Sequence, residues 1–229
     1  MRFAMGWWGV RLSMKLWKST RWRVNIFLIC TGLLQIFFRS AEAMTFDVVI
    51  MSGEPAIHGR GEIAPGDAAR LKSVLTPRAK HSFGYYTLVL ESPGGSVQSA
   101  FEISKVIDAH YVNTYIAPGG RCISACAAIV FMAGREHIAV PGSHLGFHGC
   151  FNSQTKNIST LCNEQIARYA TSHGTSYGAV MAFIEKVPFD EVVWIDGQEA
   201  DCWGINRYDI SSKPTNYLQC VSDILKKSR

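Results

Sequence analysis

The order of apolar runs and turn residues predicts an α/β fold. Three observations carry this reading. β-rich runs alternate with helical stripes from residue 46 onward, the connections between them are short, and the run Tyr86 to Leu90 is nearly continuous in apolar character. Such a strand is buried on both faces, as in a parallel sheet covered by helices. Strand and helix in alternation, joined by short links, build that sheet.

Phe46 to Met51 is rich in β-formers and closes at Ser52-Gly53, which makes it the first strand. Pro65-Gly66-Asp67 opens a helix over Ala68 to Leu75, with Asp67 placed to accept the free N–H groups of the first turn. The strand Tyr86 to Leu90 ends at Ser92-Pro93-Gly94-Gly95. Val97, Phe101, Ile103, Val106 and Ile107 then form a helical stripe, and Val112 to Ile116 returns as a strand. A Gly119-Gly120 loop, a helix from about Ser124 to Met132, strands near His137 to Val140 and Leu145 to His148, and two helical patterns between Ser159 and Lys186 complete the series. No internal repeat or low-complexity segment interrupts it.

The chain of 229 residues is 48% hydrophobic and 18% charged, the balance of one globular domain plus a short extra segment. Collagen-like, coiled-coil and disordered classes are excluded. The net charge of +5 is unevenly spread. Residues 1–43 hold seven of the 23 basic residues and, in Glu42, one of the 18 acidic ones, leaving 16 against 17 in residues 44–229. The basicity belongs to the leader, so a nucleic-acid partner is not expected.

That leader has a basic stretch ending at Arg23, an apolar run from Val24 to Phe38, and then Ala41-Glu42-Ala43. This is the order of a secretory signal, and it predicts cleavage after Ala43. The alternative is an uncleaved anchor touching the membrane through residues 24–38, since the run is short for a span but Arg39 lies just beyond it. Cys30 follows Ile29 rather than a small residue, which gives a lipoprotein site little support. The expected organisation is therefore a signal or anchor over 1–43 and one domain over 44–229, exported to the periplasm or beyond, or held at the inner membrane.

Cys122, Cys126, Cys150, Cys162, Cys202 and Cys220 remain after the cut. An even count in an exported chain favours disulfides. Proximity suggests Cys150–Cys162 and Cys202–Cys220. Cys122 and Cys126 lie four apart with no second pair to mirror them, so no metal site is expected.

Two strand-to-helix junctions could carry chemistry. In Glu91-Ser92-Pro93-Gly94-Gly95-Ser96-Val97 the paired glycines let N–H groups turn outward and let a substrate approach, so Gly94 and Gly95 can donate to a developing oxyanion. No Gly-Lys-Ser/Thr follows, so it is not a P-loop. In Arg121-Cys122-Ile123-Ser124-Ala125-Cys126-Ala127-Ala128, Ser124 sits at a helix start among small side chains. It can serve as an N-cap or as a nucleophile, with the Ala125 N–H as a second oxyanion donor. The surroundings are not a Gly-x-Ser-x-Gly elbow. A serine hydroxyl needs a base. Of seven histidines, His148 follows Leu145-Gly146-Phe147 and precedes Gly149, and His144 lies four residues earlier.

In order, spacing and local sequence, Glu91 to Val97, Cys122 to Gly134 and Pro141 to His148 resemble the Clp-type serine peptidase family of the ClpP/crotonase superfamily, over roughly residues 46–210. The resemblance implies a spiral of ββα units, an oxyanion loop at Gly94 and Gly95, a nucleophile at Ser124, a base at His148, no cofactor, and a ring-forming homo-oligomer. Counting back from Gln198-Glu199-Ala200 and Gly204-Ile205 places the family's orienting acid at Val192, which has no carboxylate. Glu191 is the expected substitute, with Asp190 the alternative. Related signal-peptide peptidases use a Ser-Lys dyad, for which Lys105 and Lys186 are the candidates. The function expected is hydrolysis of a peptide or protein substrate by an exported serine peptidase. A catalytically silent binding or scaffold protein and an acyl-thioester enzyme of the crotonase branch are the alternatives.

Overall fold

The computed structural model describes residues 43–152 and 154–208. Residues 1–42 of the leader expected over 1–43, and the segment 209–229 with Cys220, lie outside the described residues. Among the described residues, no helix is long and apolar enough to cross a membrane.

Strands β1 (Thr45–Met51) and β2 (Glu54–Arg60) form an antiparallel hairpin. Its two-residue loop, Ser52-Gly53, has positive φ at both positions, the twist-compatible turn for a tight hairpin. Helix α1 (Asp67–Val74) leads to β3 (Tyr86–Glu91), whose Leu88, Val89 and Leu90 are buried. Helix α2 (Val97–His110) and strands β4 (Val112–Ile116), β5 (Arg121–Ile123), β6 (His137–Ala139) and β7 (His144–Phe147) follow. Helices α3 (Thr160–Ser172) and α4 (Tyr177–Ile184), strand β8 (Val193–Asp196) and helix α5 (Gly197–Cys202) complete the body. One sheet runs β1-β2-β3-β4-β6, parallel from β2 onward, and the other runs β5-β7-β8. A parallel bridge between Ser92 and Cys122 ties the two together.

The alternation read from the sequence is present, with three strands added at β2, β5 and β8. Two local expectations are corrected. Asp67 is not the cap of α1 but its first residue, after Gly66. Its buried carboxylate reaches back to the Ala64 N–H at 2.6 Å and pairs with Arg70. The helix expected from Ser124 to Met132 is a π-helix, Cys126–Val130, followed by a 3-10 turn, Phe131–Ala133. Every residue from Ala125 to Ala133 is buried, which is why the stretch is apolar all round rather than striped. The wide π turn is a form that recurs at functional sites.

Cys150 and Cys162 are bridged, as their spacing suggested. Cys122 and Cys126 are also bridged, a pairing not anticipated. Cys202 is disulfide-bonded as well, and its expected partner Cys220 lies outside the described residues.

Candidate active site

Ser124 follows β5 directly, and the strand fixes it from two sides. Toward the first sheet, Ser92 N–H donates to Arg121 O and Ile123 N–H donates to Ser92 O, both at 2.9 Å. Toward β7, Ser124 N–H donates to Gly146 O at 2.8 Å. Between strand and helix the backbone of Ser124 takes a left-handed turn, φ 57°. A non-glycine residue held there costs on the order of 1 kcal/mol and is a feature of functional sites. The buried Cys122–Cys126 disulfide, Cα–Cα 5.3 Å, closes a ring around this turn.

The Ser92-Pro93-Gly94-Gly95 loop lies against it. A side chain on Gly94, φ 91°, would meet Ile123 O at 2.5 Å and Ser124 Cβ at 2.8 Å, so only glycine permits the approach. The structure separates the two glycine amides. Gly94 N–H donates to the buried Ser92 Oγ at 3.1 Å. Gly95 N–H and Ala125 N–H have no acceptor among the described residues. Gly95 is exposed, whereas Gly94 is buried.

His148 leaves the end of β7 and lines the same cavity, of about 720 Å³, as Ser124, Gly94 and Gly95; Glu62, Pro93, Val97 and Phe151 are also on its walls. No hydrogen bond joins Ser124 to the imidazole, and such bonds commonly tighten only around substrate. His148 Nδ1 lies 2.9 Å from Gly149 O. A carbonyl can only accept, so Nδ1 is the donor and Nε2 keeps the lone pair in the neutral ring. Gly149 is itself held by N–H donation to Val187 O at 2.9 Å, and a side chain on it would strike Ile184 O at 2.8 Å.

The expected carboxylates are elsewhere. Glu191 and Asp190 are exposed, and neither bonds to His148. The β7–β8 register pairs Phe147 with Val193, so its next step sets Val192 opposite His148. Val192 packs on β7: its Cγ1 lies 2.9 Å from where a Cβ on Gly146 would be. Lys105 and Lys186 are exposed and do not line the cavity. Neither does His144, which meets Trp194 edge-on. Sequence reasoning missed Glu62, Phe151 and the Gly149 carbonyl. Glu62 and Phe151 belong to none of the three motifs, and a main-chain acceptor leaves no trace in residue type.

His137, by contrast with the cavity-lining His148, is buried in the body. Nδ1 faces Gly134 O at 3.0 Å, Nε2 faces Thr175 Oγ1 at 3.3 Å, and burial pushes its pKa down to about 4. Among the described residues, no group of three or more His, Cys, Asp or Glu is placed to hold a metal ion.

No family model matches the chain, and no curated protein matches it. Solved structures do. A lysine-to-alanine mutant of the 1510-N membrane-bound stomatin-specific protease, in complex with a substrate peptide, matches at 19% identity and TM-score 0.51, covering 70% of this chain and 75% of its own. A serine-to-alanine mutant of that protease matches at the same identity and TM-score, covering 75% and 82%. The likeness shows the fold: this chain is an α/β body of the ClpP-like type.

Proposed function

We propose that this chain is an exported serine peptidase working through Ser124 and His148. The observation that carries the reading is that a serine in a left-handed turn shares one cavity with a histidine whose Nδ1 is occupied, beside two amides that have no acceptor among the described residues. Ser124 Oγ attacks the peptide carbonyl while His148 Nε2 takes its proton. Gly95 N–H and Ala125 N–H hold the oxyanion. When the tetrahedral intermediate collapses, the C–N bond breaks and His148 returns the proton to the leaving amine. Water then attacks the acyl-serine, its proton passing through His148 in the same way. The Gly149 carbonyl does the orienting usually done by a carboxylate, fixing the tautomer without adding charge to stabilise the imidazolium. No cofactor takes part. The peptide bound to the structural neighbour supports a peptide substrate, and the disulfides support an oxidising compartment.

The test is hydrolysis of a quenched fluorescent peptide library by the wild type, Ser124→Ala and His148→Ala. Turnover that is lost in both variants is expected. Turnover that survives in Ser124→Ala would refute the assignment. A second reading, a silent peptide-binding protein of this fold, is favoured by one observation, the valine opposite His148. It predicts peptide binding without turnover in all three proteins.

A further inference from the structure

We propose that Glu62 selects substrates with a cationic side chain next to the bond attacked, an inference that rests on the peptidase reading. The cavity is otherwise apolar or neutral along Pro93, Val97, the bridged Cys150 and Phe151, and among the described residues His148 is the only other titratable side chain on its walls. Glu62 is half-buried, and its carboxylate has no hydrogen bond or ion pair among the described residues. The Lys156 ammonium, off the cavity wall, sits over the rings of Phe151 and Phe189, 5.4 and 5.3 Å from their centroids. It does not neutralise Glu62.

Position gives this carboxylate a consequence for rate. The next residue, Ile63, donates to Gly94 O at 2.7 Å and accepts from Ser96 N–H at 2.9 Å, so Glu62 is fastened to the oxyanion loop. Its Cγ lies 3.0 Å from where a Cβ on Gly95 would be, beside the free Gly95 amide. A fixed anion there opposes the negative charge that develops on the oxyanion. A lysine- or arginine-like group from the substrate cancels that opposition and gives Glu62 the partner it lacks. An anionic group adds to the opposition.

The experiment uses three fluorophosphonate probes identical except for the recognition arm, which ends in an ammonium, a methyl or a carboxylate. Labelling rates are measured on the wild type, Glu62→Gln and Glu62→Lys. In the wild type the cationic probe should react about tenfold or more faster than the anionic one. Glu62→Gln should bring the two rates together, and Glu62→Lys should reverse their order. Each ratio is taken within one preparation, so it does not depend on how much of a variant folds. Labelling by the methyl probe with no charge preference, or a preference that persists in Glu62→Gln, overturns this inference and leaves the peptidase reading standing. A wild type that no probe labels overturns both.

Discussion

Ser124 and His148 face the same cavity but are held in different ways. The serine is bonded through its own amide and its strand to both sheets, enclosed by a five-residue disulfide ring, and backed by a glycine that no other residue could replace. The histidine has one polar contact among the described residues, to the carbonyl of the next residue, and the β7–β8 register continued by one step puts Val192 across from it. In the proposed reaction, preorganisation is therefore concentrated where the oxyanion would form. Since stabilising that charge is usually the largest single contribution to catalysis, a site can lose its acid and keep most of the machinery for acyl transfer.

The largest effects come from breaking either side outright. Ser124→Ala and His148→Ala should each lower peptide turnover about 10³-fold or more, and the double variant should be little worse than either single one. Additive losses would mean the two do not act on the same step.

The contrast between the proposed base His148 and the structural His137 can be tested through pH. Folded His137 titrates at about 4, below the ordinary 6.5, because burial penalises its charged form. The unfolded chain thus binds the extra proton between those values. Stability from this group is complete above about pH 6.5 and lost as pH falls toward 4, by roughly 3 kcal/mol. Urea unfolding followed across this range should show that decline equally in the wild type and in His148→Gln. A decline that vanishes in His148→Gln would assign it to the wrong ring.

The Cys122–Cys126 and Cys150–Cys162 disulfides separate activity from stability. Cys122–Cys126 spans a sequence separation of 4 and Cys150–Cys162 one of 12. Loop-closure entropy makes the first worth about 2 kcal/mol and the second about 3. Replacing Cys122 and Cys126 by alanine should slow probe labelling about tenfold by loosening the Ser124 turn. Replacing the other pair should cost more in the urea midpoint. The reverse ranking would show that the ring around Ser124 is only a staple.

Similar in magnitude, but aimed at the weaker side, is Val192→Asp. A carboxylate installed opposite His148 should raise the labelling rate about tenfold. Glu191→Gln and Asp190→Asn should change it by less than about twofold, since neither side chain reaches the ring. A large loss in Glu191→Gln would restore the acid expected from the sequence.

How much of this was legible depended on whether geometry or chemistry set the residue. The glycine pair, Ser124 and His148 stand out because close backbone approach and proton transfer each demand particular residue types. The position reached by counting back, Val192, lies one step beyond the Phe147–Val193 pair that ends the β7–β8 register. The substitute acid was not legible, because the group on Nδ1 is main chain. Strand β2 escaped notice because Pro55 and Gly59 break its apolar pattern, although it pairs along its full length with β1. The Cys122–Cys126 bridge was hidden by assuming a regular helix where the chain passes from strand through a left-handed turn into a π-helix.

The pairing of Ser124 with His148 is tested by peptide mapping of the protein after reaction with a fluorophosphonate at neutral pH. A single adduct on Ser124 is expected, formed by the wild type and reduced at least about a hundredfold in His148→Ala. An unmodified Ser124 in folded wild-type protein, or an adduct that forms at full rate without His148, would contradict it.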